Sequence, residues 1–200
     1  MYKLYNFQPS GNCYKIRLLL AQLEIPFESI HVDILKNESR TSAFMEKNVH
    51  GRVPVLQHNE KYLPESNAAL WYLAKGSQYL PEDEFEQAQV LQWMFFEQCS
   101  HEPNIAAVRY WISILGKESQ FLEQIEQKRH AGYAALDVME SHLSCNTYFV
   151  GEKYSIADIA LYAYTHVAHE GGFNLSEYKN INNWFKSIES QPNHVTLVKS

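Results

Sequence analysis

Over residues 2–75 the spacing of apolar positions changes several times within short distances, whereas from residue 85 onward it keeps a helical period. That change of regime predicts two domains. Tyr2, Leu4 and Asn6 alternate with Lys3, Tyr5 and Phe7, the period of a strand of mixed burial. Phe27–Val32 and Val53–Gln57 predict two more strands, and Asn59-Glu60 turns the chain into Lys61-Tyr62-Leu63. Ile16, Leu19, Leu20 and Leu23 fall at i, i+3, i+4 and i+7, the stripe of an amphipathic helix lying on a sheet. The opening is therefore β-α-β with a right-handed crossover. Thr41–Lys47 and Ser66–Lys75 predict further helices, and Gly76-Ser77 with Pro81 marks a break. These signals bound one domain at 1–76, a linker at 77–84 and a helical domain at 85–200.

In the second half, Phe85–Leu115 and Glu118–Leu143 predict long helices. Leu122, Leu136 and Leu143 share one seven-residue register, and Ile125 and Met139 another, which predicts a packed seam interrupted by Arg129 and Gly132. Pro103 removes a backbone donor inside the first helix and should kink it. The polar run Glu97–Glu102 in the same helix reads as a solvated or partner-facing surface. Ser155-Ile-Ala-Asp158 is a capping box opening another helix. Asn180–Ser187 and Pro192–Val198 close an all-α bundle, with Ile181, Trp184, Phe185 and Ile188 facing inward.

Composition narrows the function classes. With 200 residues, 46% of them hydrophobic and 20% charged, the chain can build a sizeable core. A net charge of −6 without a basic run argues against nucleic acid or an anionic membrane as partner. No apolar window reaches about 18 residues and the amino terminus carries no leader pattern, so a soluble, cytoplasmic protein is expected. Cys13, Cys99 and Cys145 are odd in number and widely spaced, which fits neither a disulfide framework nor a metal cluster. No metal and no resident cofactor are expected.

The joint between the first strand and first helix, Ser10-Gly11-Asn12-Cys13, admits several readings. Ser10 or Asn12 could simply cap the helix. A phosphate cradle would need more glycine and a lysine following. A thiol-disulfide site needs two sulfurs, and here Ser10 stands where a Cys-x-x-Cys motif places its attacking thiolate. Alternatively, a hydroxyl beside helix N-terminal amides holds a thiolate that belongs to a ligand. Cys13 itself reads as a packed core thiol. Further along, Arg52-Val53-Pro54 introduces a strand through a proline of the kind often found cis. Glu65-Ser66 sets a carboxylate and a hydroxyl at a helix start, where free amides bind a carboxylate while Glu65 pairs with an ammonium, a combination suited to a zwitterionic α-amino acid.

These segments, in this order and with the Ser155–Asp158 box in a helical second half, resemble the glutathione S-transferases, in their bacterial-type, serine-containing cytosolic form. The likeness runs over essentially the whole chain. It implies an α/β thioredoxin-like N-terminal domain that binds glutathione as co-substrate, an all-α C-terminal helical bundle, and a homodimer acting in detoxification. Carried over by position, Ser10 is the catalytic residue, donating to the glutathione sulfur, with Asn12 as the other candidate for that contact. The Val53 backbone, at the Pro54 turn, pairs with the cysteinyl part. Glu65 and Ser66 hold the γ-glutamyl end, and Arg52 approaches the glycyl carboxylate. A small hydrophobic electrophile is expected in a pocket between the domains, lined by Phe7, Tyr14, Tyr110 and Trp111. Ser10-Gly11-Asn12 departs from the Ser-Ser-Cys run of forms that isomerise maleylacetoacetate, which argues against that activity. The activity expected is thiolate conjugation to small electrophiles. Its alternatives are a glutathione-dependent disulfide reductase or peroxidase on the same fold, and a non-catalytic binding protein that keeps the fold.

Overall fold

The computed structural model describes residues 1–197. The chain divides into two compact units: Met1–Ser77 together with the segment from Pro192, and Gln78–Gln191.

The first unit runs β1 (Tyr2–Asn6), α1 (Gly11–Gln22), β2 (Phe27–His31), α2 (Ser42–Met45), β3 (Val55–His58), β4 (Lys61–Pro64) and α3 (Ser66–Ala74). Its sheet has the order β2-β1-β3-β4. The crossover through α1 brings β2 parallel to β1, and β3 and β4 form an antiparallel hairpin on the other side of β1. This is the thioredoxin-like arrangement. Register places Tyr5 opposite Val55, and Val55 opposite Pro64. The end of β1, the start of β3 and the end of β4 therefore lie in one row. The three segments that carry the candidate chemistry all meet the sheet at that end.

Helix α1 is less amphipathic than its leucine stripe suggests. Ten of its twelve residues are buried, Lys15 and Arg17 among them. Part of the cover is the C-terminal tail, which the sequence pattern assigns to the helical bundle. The Tyr14 hydroxyl donates to the Val195 carbonyl at 2.7 Å, and Asn193 Nδ2 donates to Glu24 Oε1 at 3.2 Å. Residues 192–197 are not helical, and Val198 lies outside the described residues.

The second unit contains α4 (Glu84–Phe96), α5 (Glu102–Arg109), α6 (Leu122–Leu143), α7 (Ile156–Thr165) and α8 (Lys179–Glu189). Residues 78–83 belong to it and are ordered by contacts of their own. Tyr79 and Leu80 are buried, the Ile156 N–H donates to the Tyr79 carbonyl at 3.0 Å, and the Asp83 side chain caps α4. The long helix expected over 85–115 is interrupted as Pro103 requires, by a π-helical turn at Glu97–His101 just before the proline. Widening the turn there accommodates a residue that lacks its N–H and clashes with the preceding carbonyl. The same turn carries Glu97 and His101 inside with no exposed surface, and His101 Nε2 lies 2.8 Å from Thr165 Oγ1. The run Glu97–Glu102 is thus not a uniformly solvated face, although Cys99 and Ser100 stay exposed.

On α6 the seam consists of Ile125, Leu136, Met139 and Leu143, while Leu122, at the first turn, is 58% exposed. Gly132 is a contact rather than an interruption: a Cβ there would stand 2.6 Å from the Phe173 ring. Helix α7 is buried along its whole length and opens with the expected capping box. Its Asp158 accepts from the Ser155 N–H and hydroxyl, the Phe149 N–H and the Trp184 indole N–H, at 2.9, 3.1, 3.1 and 2.9 Å. Burial pushes the Asp158 carboxyl up to about 6, against the pull of those four donors.

Candidate functional site

Ser10 is the N-cap of α1. Its backbone is extended, and its Oγ accepts the Cys13 N–H at 3.3 Å. That contact occupies a lone pair, and the hydroxyl also hydrogen-bonds the Cys13 sulfur. The loop beneath is fixed by Arg17, whose guanidinium donates to Asn6 Oδ1 and, at 2.9 Å, to the Gln8 carbonyl. Cys13 lies in the first turn of α1, fully buried, and its Sγ accepts the Phe7 N–H at 3.4 Å. Burial pushes its thiol up. A thiol held in its protonated form is a poor nucleophile, so Cys13 is core.

The second segment is held by Asn48, which is buried. Its Nδ2 donates to the Arg52 carbonyl at 2.8 Å, and its Oδ1 accepts the His50 N–H at 3.0 Å. The Val53–Pro54 peptide that follows is cis and leads directly into β3. Val53 packs on Val32, Phe44 and Val55, which anchors the turn from below, while the Arg52 side chain is exposed.

The third segment joins β4 to α3 at Glu65, whose φ of 71° lies in the left-handed region. A non-glycine residue there is uncommon, and here strand pairing on one side and a helix on the other hold it. The Glu65 side chain is exposed, whereas Ser66 is 4% exposed. Ser66 Oγ donates to Asn12 Oδ1 at 3.2 Å and accepts from Lys15 Nζ at 3.3 Å. Lys15 also donates to Asn67 Oδ1 at 3.2 Å. These bonds tie the N-terminus of α1 to that of α3. The Ser66 hydroxyl, expected to face a ligand, is engaged inside the protein.

Two helix N-termini, each with a partial positive charge and first-turn N–H groups that have no acceptor within their own helix, thus meet at one end of the sheet. Around them stand the half-buried Ser10 hydroxyl, an exposed carboxylate (Glu65) and an exposed guanidinium (Arg52). The set suits a ligand that carries carboxylates, an ammonium and a thiolate.

The four aromatic candidates divide. Phe7 and Tyr14, expected to line a pocket, are 6% and 0% exposed and pack as core rings of the first unit. Tyr110 and Trp111 are half-buried in a π-helical segment of the second unit, with Trp111 stacked on Phe121 at 4.7 Å between ring centroids. Lys15 and Arg17 are the residues that sequence reasoning missed. Their signal was present as two cations inside the run Tyr14-Lys15-Ile16-Arg17-Leu18-Leu19-Leu20. Among the described residues, no cluster of three or more His, Cys, Asp or Glu is placed to hold a metal, and no helix is long and apolar enough to cross a membrane.

Comparison with known proteins gives this geometry its family. Residues 1–75 match the model of the glutathione S-transferase N-terminal domain, and residues 104–192 that of the C-terminal domain. The crystal structure of a glutathione S-transferase from Pseudomonas fluorescens Pf-5 is 51% identical, covers 99% of each chain and superposes with a TM-score of 0.97. A glutathione S-transferase structure from Xanthobacter autotrophicus Py2 is 35% identical over 98% of this chain and 97% of its own, with a TM-score of 0.95. The disulfide-bond oxidoreductase YfcG of Escherichia coli (strain K12) is 28% identical over 96% of this chain and 92% of its own length. With both domain models matched in order and a relative 51% identical end to end, the chain belongs to the glutathione S-transferase family.

Proposed function

We propose that this protein is a cytoplasmic glutathione transferase that binds glutathione in its first unit and activates the thiol for attack on small electrophiles. The reading rests on Ser10, the N-cap of α1, whose hydroxyl hydrogen-bonds the Cys13 sulfur and can turn to a ligand thiolate, while Cys13 itself is buried and held protonated. A nucleophilic sulfur at this place has to come from the ligand. Glu65 pairs with the γ-glutamyl ammonium, and the α3 N-terminus receives its carboxylate. The Val53 backbone pairs with the cysteinyl unit and Arg52 meets the glycyl carboxylate. Tyr110 and Trp111 supply aromatic surface for the electrophile. The protein works as a homodimer in detoxification. Supporting the dimer, Phe85, Ala88, Gln92 and Phe95 are exposed at i, i+3, i+7 and i+10 of α4, and the two rings are 72% and 66% exposed. That is a continuous stripe of the kind partners cover.

A second reading, reduction of disulfides through bound glutathione, is favoured by the likeness to the oxidoreductase YfcG. It uses the same thiolate and no protein cysteine. Steady-state assays with an aryl halide and with a small mixed disulfide, run on the wild type and on a Cys13/Cys99/Cys145→Ala variant, rank the two. Conjugation exceeding disulfide reduction supports the transferase. The reverse, unchanged in the cysteine-free variant, supports the reductase.

A further inference from the structure

We propose that Arg17 supplies the fixed positive charge that balances the glutathione thiolate, from a place beneath the turn that carries Ser10. The inference rests on the glutathione reading above. The chain leaves β1 at Asn6 and turns over Phe7–Ser10, closed by the Ser10 N–H on the Phe7 carbonyl at 3.0 Å. From one helical turn beyond Cys13, the buried Arg17 side chain reaches back to this turn, donating to Asn6 Oδ1 and, at 2.9 Å, to the Gln8 carbonyl. Its guanidinium carbon lies 5.8 Å from the centre of the Tyr14 ring. These partners are uncharged, and among the described residues no carboxylate pairs with Arg17. The titratable groups that act on it are the Cys13 thiol and the Tyr14 phenol, both on its own helix.

A guanidinium stays charged in a protein interior. Burying it without an anion is costly, and hydrogen bonds to neutral oxygens repay only part of that cost. The base of the turn therefore holds a positive charge that favours an anion arriving near it. The sulfur already in reach responds to it. Burial pushes the Cys13 thiol up, while the Phe7 N–H, the Ser10 hydroxyl and the Arg17 charge pull it down. Cys13 lies in the turn of α1 that Ser10 caps. A ligand sulfur at the Ser10 hydroxyl enters the same field from outside and escapes the burial that keeps Cys13 protonated. Because a charge acts over several ångström, Arg17 needs no contact with the ligand. Lysine would preserve this effect, whereas a residue that only stapled the turn would need the two-pronged guanidinium and no charge.

The test titrates saturating glutathione on the full-length protein, following its ultraviolet thiolate absorbance from about pH 5 to about pH 9 in the wild type, Arg17→Gln and Arg17→Lys. Glutamine keeps a donor for the turn without the charge; lysine keeps the charge without the fork. Arg17→Gln should raise the thiol pKa of bound glutathione by about one unit, a tenfold loss in the ratio of thiolate to thiol, and Arg17→Lys by no more than about 0.3. S-methylglutathione, which has no thiol to ionise, should bind both variants within about twofold of wild type by calorimetry. In Ser10→Ala, where the arginine is untouched, the bound thiol should still titrate about one unit below its free value, and this arm decides if circular dichroism shows Arg17→Gln unfolded. An unchanged pKa in Arg17→Gln overturns the proposal, as does a rise in Arg17→Lys equal to that in Arg17→Gln, which makes Arg17 a staple alone. A parallel loss of S-methylglutathione affinity, or a Ser10→Ala titration at the free value, overturns it too. A wild-type protein that binds neither ligand instead overturns the glutathione reading.

Discussion

Asp158→Ala should destabilise the helical unit by about 3 kcal/mol at pH 7, and by more in mild acid. The carboxylate has no exposed surface and accepts from three fixed N–H groups, those of Phe149, Ser155 and the Trp184 indole, and from the Ser155 hydroxyl. The hydroxyl can rotate to another acceptor; the three N–H groups cannot. Each buried donor left without a partner costs about 1–3 kcal/mol, so roughly 6 kcal/mol is lost. Against this stands the burial of charge that the variant no longer bears. A carboxyl raised from the usual aspartate value to about 6 represents about 3 kcal/mol at neutral pH. The sign of the pH effect follows from the same shift. Because the folded-state value lies above the unfolded one, the native protein takes up this proton first, and its contribution grows as pH falls from about 7 towards 4. At pH 5 the wild type should gain roughly 1 kcal/mol that the alanine variant does not. Reversible urea unfolding followed by tryptophan fluorescence, at pH 7 and pH 5, measures both. A variant within about 1 kcal/mol of wild type at pH 7, or a gap that narrows at pH 5, refutes the account of Asp158 as the hub joining α7, α8 and the segment before α7.

Glu65→Gln should weaken glutathione binding by tens of fold, because a charge-assisted contact to the ligand ammonium is lost, and calorimetry with unchanged affinity would remove the γ-glutamyl assignment. Light scattering at micromolar concentration should give about twice 23.3 kDa for the wild type, whereas Phe85→Ser/Phe95→Ser should shift the population towards monomer. A wild-type monomer removes the dimer; a double variant that remains fully dimeric moves the interface off the α4 stripe.

The elements whose hydrophobic period was clean were legible in the sequence. The β-α-β opening, the hairpin and the capping box all follow from local patterns that their packing does not override. The local structure of the three candidate segments was also legible, because helix starts and a pre-strand proline have local signatures. What the sequence could not show was where chemistry turns inward. Lys15 and Arg17 stand in an apolar run as two cations that look like a solvated edge, and only the converging starts of α1 and α3 and the loop after β1 give them buried partners. Glu97 and His101 read as surface because an ideal helix was assumed, and the π turn before Pro103 rotates them inside. The family resemblance implied that Phe7 and Tyr14 line a pocket, but both rings are buried, and the tail from Pro192 returns over Tyr14. A contact at that sequence separation leaves no trace in local periodicity.

The central claim is that Ser10 lowers the pKa of bound glutathione. A free cysteine thiol is only about 3% thiolate at pH 7. A hydroxyl donor to a charged acceptor is worth about 1.5–3 kcal/mol and the N-terminal end of α1 about 0.3–1 kcal/mol more, enough together to bring the pKa to roughly 6.5. The most direct measurement is the ultraviolet thiolate absorbance of glutathione at saturation, pH 7, on the wild type and three single variants. The account predicts a clear thiolate band on the wild type, most of it lost in Ser10→Ala while binding persists, and little change in Cys13→Ala. A full band in Ser10→Ala together with its loss in Asn12→Ala would contradict it and place the sulfur contact two residues further along the helix.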